Sequence, residues 1–127
     1  MEHFHQVTED LRAPYRELTQ AIPGVMSGFS SMSTAAMGEG ALSQRMKELI
    51  ALAISITREC DGCISAHARG AARRGATVSE VTEMIGVAIA MNGGPGTVWG
   101  PRALAAFHEY ADPDPNPDPD PDPTTGS

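Results

Sequence analysis

The sequence is short of positive charge, of aromatic side chains and of long apolar runs. Nine lysines and arginines stand against sixteen aspartates and glutamates, for a formal net charge of −7. With no basic stripe to neutralise phosphates, nucleic acid is not an expected partner. No apolar run approaches the roughly eighteen residues that a membrane-spanning helix needs, so no membrane is expected either. The amino terminus, MEHFHQVTED, carries acids and histidines where a secretory signal has an apolar core, and the cytoplasm is the expected compartment. Strand patterning is missing as well, because no segment alternates apolar and polar over a strand's length. Cysteine is scarce. The two present, Cys60 and Cys63, point in a cytoplasmic chain to catalysis or metal binding sooner than to a structural staple.

Proline is unevenly spread. Six of the ten prolines fall in Asp112 to Ser127, with five aspartates and no large apolar side chain. Alternating proline removes backbone donors and favours extended polyproline geometry, and the aspartates repel one another. The expected organisation is one all-α domain over residues 1–111 and a disordered acidic Asp/Pro-rich tail or linker over residues 112–127. A domain of that size buries a modest core and is often helped by self-association.

Within the body, the pattern predicts helix after helix. A first helix is expected over Glu9 to Ala21, with Pro14 early in it, and Pro23-Gly24 punctuate. A second, Val25 to Met37, is rich in Met, Ser and Ala. Ser43 is placed to cap a third, in which Met46, Leu49, Ile50, Ala53 and Ile54 recur at helical spacing. Leu52 and Ile56 widen its apolar face nearly all round, which predicts a central position. Asp61-Gly62 reads as a break, followed by a helix from about Cys63 to Arg74 whose small residues permit close approach; Gly75 ends it. Thr77 and Glu80 fit a capping box ahead of Val81, Met84, Ile85, Ala88 and Ile89. A last helix, from Val98 or Pro101 to Ala111, carries Leu104, Phe107 and Tyr110.

The chemistry-bearing stretch is Glu59-Cys60-Asp61-Gly62-Cys63-Ile64-Ser65-Ala66-His67. Cys63 and His67 are four residues apart, which puts them on one helical face. A thiolate near a helix N-terminus is favoured by unpaired amides and by the macrodipole. A histidine one turn away can take the thiol proton or deliver one to a leaving oxygen. Cys60, Cys63 and His67 also make three of the four ligands zinc usually takes, with His108 or a carboxylate as the fourth. Inert buried cysteines are the bland alternative. Trp99, Phe107 and the Met-rich stretch read as core or interface; Met26, Met32 and Met37 read alternatively as the lining of an apolar channel. His3 and His5 belong to a terminus expected to be mobile, and His108 is ambiguous between surface and site rim.

Glu48, then eleven residues, then Cys60-x-x-Cys63-x-x-x-His67 resembles the signature of AhpD-like alkylhydroperoxidases within the carboxymuconolactone decarboxylase superfamily. Lys47 to Ala53 before the motif and Ala66 to Ala71 after it extend the likeness, which spans roughly Gly40 to Phe107. The resemblance implies an all-helical, AhpD-like fold assembled as a homo-oligomer, a trimer or hexamer. It implies a peroxidase that carries no cofactor beyond a redox-active Cys60–Cys63 disulfide, with electrons from a dithiol donor such as a lipoylated or thioredoxin-like protein. Cys63 would attack the peroxide, Cys60 would resolve the sulfenic acid, and His67 and Glu48 would relay protons. One position departs: members place a histidine directly before the second cysteine, where this chain has Gly62. Decarboxylases of the superfamily lack the cysteine pair. On one straight helix Glu48 and Cys60 would stand about 18 Å apart, so the relay requires a fold-back or a glutamate from another subunit. The tail resembles the linkers of encapsulin cargo proteins, which implies residence in an encapsulin nanocompartment and a shell partner bound through the C-terminus. The rival functions are a CxxC disulfide oxidoreductase with little peroxidase activity and a non-enzymatic zinc-binding or scaffold module.

Overall fold

The computed structural model describes residues 2–112. All of the expected tail except Asp112, and with it the shell-docking expectation, lies outside the described residues. Among the described residues there are six helices and no strand: α1 (His3–Ala21), α2 (Pro23–Met37), α3 (Gln44–Thr57), α4 (Asp61–Arg73), α5 (Val78–Asn92) and α6 (Gly96–Ala111). The all-α expectation holds.

The core forms where α3, α4, α5 and α6 meet. Leu52 and Ile56 come from α3, Ile64, Ala68 and Ala71 from α4, Val81, Ile85 and Ala88 from α5, and Ala103, Ala106 and Phe107 from α6. Burying a side chain such as Leu52 stabilises the fold by about 2 kcal/mol. The alanines of α4 leave no bulk between backbones, and α4 packs against α1, α3 and α6 at once. Helix α3 is less enclosed than its sequence suggests. Leu49, Leu52 and Ile56 are buried, but Met46, Ile50 and Ile54 form an exposed apolar stripe at four-residue spacing. Helix α2 buries none of its residues, and Val25, Phe29 and Met32 stand in solvent.

Several boundaries differ from the sequence reading. Helix α2 takes in Pro23 and Gly24, which that reading places ahead of it. Helix α1 begins at His3 rather than Glu9, because Phe4 is buried and Glu109 of α6 accepts the amides of Phe4 and His5. Pro14 therefore lies inside α1, where it costs a backbone hydrogen bond. The break between α3 and α4 comes before Asp61-Gly62, at Arg58 to Cys60. There Glu59 takes the left-handed conformation (φ 53°), its N–H donates to the Ile56 carbonyl, and the Cys60 N–H donates to that of Ser55. That closure usually employs glycine, so a search for glycine misplaces it. Gly75 (φ 80°) closes α4 in the same manner, at the place the sequence indicates. Helix α6 begins at Gly96, ahead of Val98. The capping box of α5 is formed as read: Thr77 Oγ1 accepts the Glu80 amide and the Glu80 carboxylate accepts the Thr77 amide.

Candidate active site

The turn that separates α3 from α4 also fixes the first cysteine. Cys60 is the last residue of the α3 closure and the N-cap of α4, and its sulfur accepts the Cys63 amide at 3.2 Å. Cys60 and Cys63 are joined as a disulfide across the first turn of α4, with Cα atoms 5.2 Å apart. Cys63 is exposed and Cys60 half-buried. Joined to one another, the two sulfurs hold no free thiolate to offer a metal. Among the described residues, the potential metal-ligating cluster comprises Glu2, His5 and Glu109 and contains neither cysteine.

The fold-back brings Glu48 to the same helix. Glu48 lies nine residues before the end of α3, and Gly70 nine residues after the start of α4, so the two positions face one another across the hairpin. Glu48 is 5% exposed, and its Oε2 lies 2.9 Å from His67 Nδ1. The reach is made within one chain, and the solvated surface carboxylate that Glu48 would otherwise suggest is not what the fold builds. A carboxylate on Nδ1 holds that nitrogen protonated, which orients the ring and leaves Nε2 as the acceptor. His67 sits one turn beyond Cys63 on α4, and its side chain is 18% exposed, open enough to exchange protons with solvent or substrate.

Gly62, the departure in the motif, is covered by the first helix. A Cβ at Gly62 would come 3.1 Å from Leu11 Cδ1, so α1 supplies a leucine methyl where a side chain would begin. Asp61 next to it pairs with His3 across 3.6 Å, while its other oxygen, Oδ1, is buried without a hydrogen-bond partner.

The amino-terminal histidines are not loose. His5 Nδ1 lies 2.9 Å from Glu109 Oε1, and both side chains are largely enclosed. Beside this pair, Ser65 Oγ donates to the Phe4 carbonyl and lies 2.7 Å from both Thr8 Oγ1 and Tyr110 Oη. A search for redox or metal chemistry passes over this cluster. The available sequence signal is the spacing of Phe4, Val7 and Leu11, which continues the helical face to the amino terminus. His108 is half-buried and pairs with Asp112 at 3.7 Å, at the far end of α6. Phe107 belongs to the core and Trp99 packs against it, whereas the methionines of α2 are not buried.

With this geometry in view, the comparisons with known proteins are specific. A model of the carboxymuconolactone decarboxylase family matches residues 23–109, a span that holds Glu48, Cys60, Cys63 and His67 and leaves α1 outside. An uncharacterised protein of Cupriavidus necator is 37% identical over 98 residues, covering 77% of this chain and 87% of its own. An uncharacterised protein of the cox locus of Paracoccus denitrificans is 36% identical over 93 residues, covering 73% of this chain and 84% of its own. The crystal structure of the apo form of a carboxymuconolactone decarboxylase family protein from Legionella pneumophila superposes with a TM-score of 0.83 at 37% identity, covering 86% of this chain and 97% of that one.

Proposed function

The chain belongs to the carboxymuconolactone decarboxylase family, and from that premise we propose that it is a thiol peroxidase of the alkylhydroperoxidase type, working through a Cys60–Cys63 dithiol/disulfide cycle. The observation that carries the reading is a CxxC disulfide at a helix N-terminus, one turn before a histidine whose Nδ1 rests on a buried glutamate. A decarboxylase has no use for a sulfur pair that opens and closes.

In the reduced enzyme the Cys63 thiolate attacks the terminal peroxide oxygen. An S–O bond forms, the O–O bond breaks, and the alkoxide leaves as an alcohol with the proton that His67 Nε2 took from the Cys63 thiol. The Cys60 thiolate then attacks the Cys63 sulfenic acid and expels hydroxide, which leaves as water after protonation. One peroxide is thereby reduced by two electrons while two thiols become one disulfide. An external dithiol restores both thiols by exchange. Glu48 holds the His67 ring in the tautomer that shuttles these protons. The exposure of Cys63 supports its assignment as the attacking sulfur, and the half-buried Cys60 suits the resolving role.

The same reading includes self-association. The stripe of Met46, Ile50 and Ile54 on α3 and that of Val25, Phe29 and Met32 on α2 are apolar surfaces that a second copy of the chain would cover. Light scattering on the purified protein reads the number of copies directly.

The deciding assay is peroxide consumption with dithiothreitol as reductant, run beside a thiol count before and after one equivalent of peroxide. Turnover with loss of both thiols of each chain is the expected result. Thiol loss without sustained turnover would move the assignment to a disulfide oxidoreductase, and no thiol loss would end the redox reading.

A further inference from the structure

We infer that Gly70 is a positioning residue for the Glu48–His67 pair: its missing side chain is the space in which the Glu48 carboxylate lies. This inference rests on the proton-relay reading of the preceding section for its consequence in activity, but not for its geometry.

Gly70 lies inside α4, three residues beyond His67 and almost one full turn along the same helix. A glycine inside a helix costs roughly 0.5–1 kcal/mol relative to alanine, so its presence calls for a reason. Neighbouring positions 66, 68, 71 and 72 are all alanine, and the helix accepts a methyl group at each. At Gly70 the surroundings differ. A Cβ built there would stand 2.6 Å from Glu48 Oε1 and closer still to Cδ and Oε2, inside contact with every atom of the carboxyl group. Oε2 is the atom that meets His67 Nδ1. The carboxylate is therefore held between the imidazole on one side and the bare α4 backbone on the other. The residue that carries it is buried, on a helix packed directly against α4. A methyl group at position 70 would push the carboxylate off Nδ1 and remove the restraint that selects the Nδ1–H tautomer of His67.

Gly86, inside α5, provides the contrast. No heavy atom lies within 4 Å of a Cβ added there, so alanine at that position brings helix propensity with nothing to displace.

The experiment compares Gly70→Ala, Glu48→Ala, the double variant and Gly86→Ala with the parent chain. Three readouts are taken: peroxide turnover, thermal midpoint, and the His67 tautomer from imidazole ¹⁵N shifts of the oxidised protein. In Gly70→Ala, turnover is expected to fall to the level of Glu48→Ala, a loss of about 10²-fold or more for a disabled general acid–base. The Nδ1–H tautomer is expected to lose its dominance in both. In the double variant the methyl meets no carboxylate, so turnover falls no further than in Glu48→Ala, and the thermal midpoint rises above that of Glu48→Ala. Gly86→Ala keeps parental turnover.

Parental turnover and an unchanged His67 tautomer in Gly70→Ala would overturn the inference. So would a double variant that melts below Glu48→Ala, because the methyl would then be meeting something other than the carboxylate; this arm decides the matter even if Gly70→Ala alone fails to fold. A changed tautomer in Gly70→Ala beside parental turnover in Glu48→Ala would sustain the positioning role and sink the relay, which separates the two claims.

Discussion

The molecule contains two histidine–glutamate pairs of nearly the same form. His67 and Glu48 meet through Nδ1 at 2.9 Å, and so do His5 and Glu109. In each pair the glutamate side chain is enclosed and the imidazole mostly so. What differs is the surroundings. Glu48 spends its carboxylate on His67 and lies against a bare glycine, one helical turn from an exposed disulfide sulfur. Glu109 also accepts the amides of Phe4 and His5, which the start of α1 would otherwise leave unpaired. It acts as a helix cap supplied from the opposite end of the chain. The same pair of side chains thus orients a ring in one place and fastens a helix in the other. An isolated histidine–glutamate contact is therefore poor ground for assigning chemistry; the neighbouring sulfur or amides decide its role.

The largest expected effect lies at the sulfur. Cys63→Ser is expected to abolish peroxide turnover while leaving the helical fold intact, and Cys60→Ser to permit one rapid sulfenic-acid event without recycling. Sustained parental turnover in Cys63→Ser would show that the attacking residue has been misassigned.

The second prediction separates the two pairs. His67→Ala or Glu48→Gln is expected to lower kcat by about 10²- to 10⁴-fold, the usual worth of positioned acid–base catalysis. His5→Ala is expected to leave turnover per folded molecule near the parental value. Steady-state kinetics on matched concentrations of folded protein read both, and equal losses at the two sites would erase the distinction drawn above.

The third prediction inverts the comparison. Glu109→Ala strips a charged acceptor from two enclosed amides and an imidazole, and is expected to cost about 2–4 kcal/mol of stability. Denaturant unfolding measures that cost, and amide exchange should show lost protection at Phe4 and His5. Glu48→Gln keeps the size of its side chain and should lose much less.

The smallest effect compares Glu109 with another glutamate that caps a helix. Glu80 serves α5 from within its own first turn. Its carboxyl is held below the ordinary carboxylate range, chiefly by the Thr77 backbone amide, which outweighs the opposing effect of burial, with Arg45 and the Thr77 side chain adding to the lowering. A lowered folded-state value means that its stabilisation is complete above the ordinary range and drains away as the pH falls through the lowered one. Glu80→Gln should therefore give a small drop in Tm at neutral pH that vanishes in acid. A loss that persisted at low pH would point to packing in place of charge.

These three glutamates also mark how far the sequence can be read. The capping box at Thr77 and Glu80 is legible because donor and acceptor stand three residues apart on one strand of text. The i, i+4 relation of Cys63 and His67 is legible for the same reason. Glu48 was nameable only through its resemblance to a known motif, since bare spacing puts it far from the cysteines along a straight helix. The turn that brings it back depends on Glu59 in a left-handed conformation, which no glycine advertises. Glu109 and His5 were not legible at all, being 104 residues apart.

The sequence by itself determined the local order: which segments coil, where α5 is capped, and that two cysteines and a histidine share the opening turns of one helix. Those outcomes follow from interactions over three or four residues, which the backbone repeat fixes. Only the tertiary structure decided that Glu48 reaches His67 within its own chain, that Gly70 makes the room for it, and that Leu11 covers Gly62. It also decided that the amino terminus is fastened by Glu109. Each of these depends on how helices lie against one another, and that is set by the collective burial of the core rather than by any short run of residues.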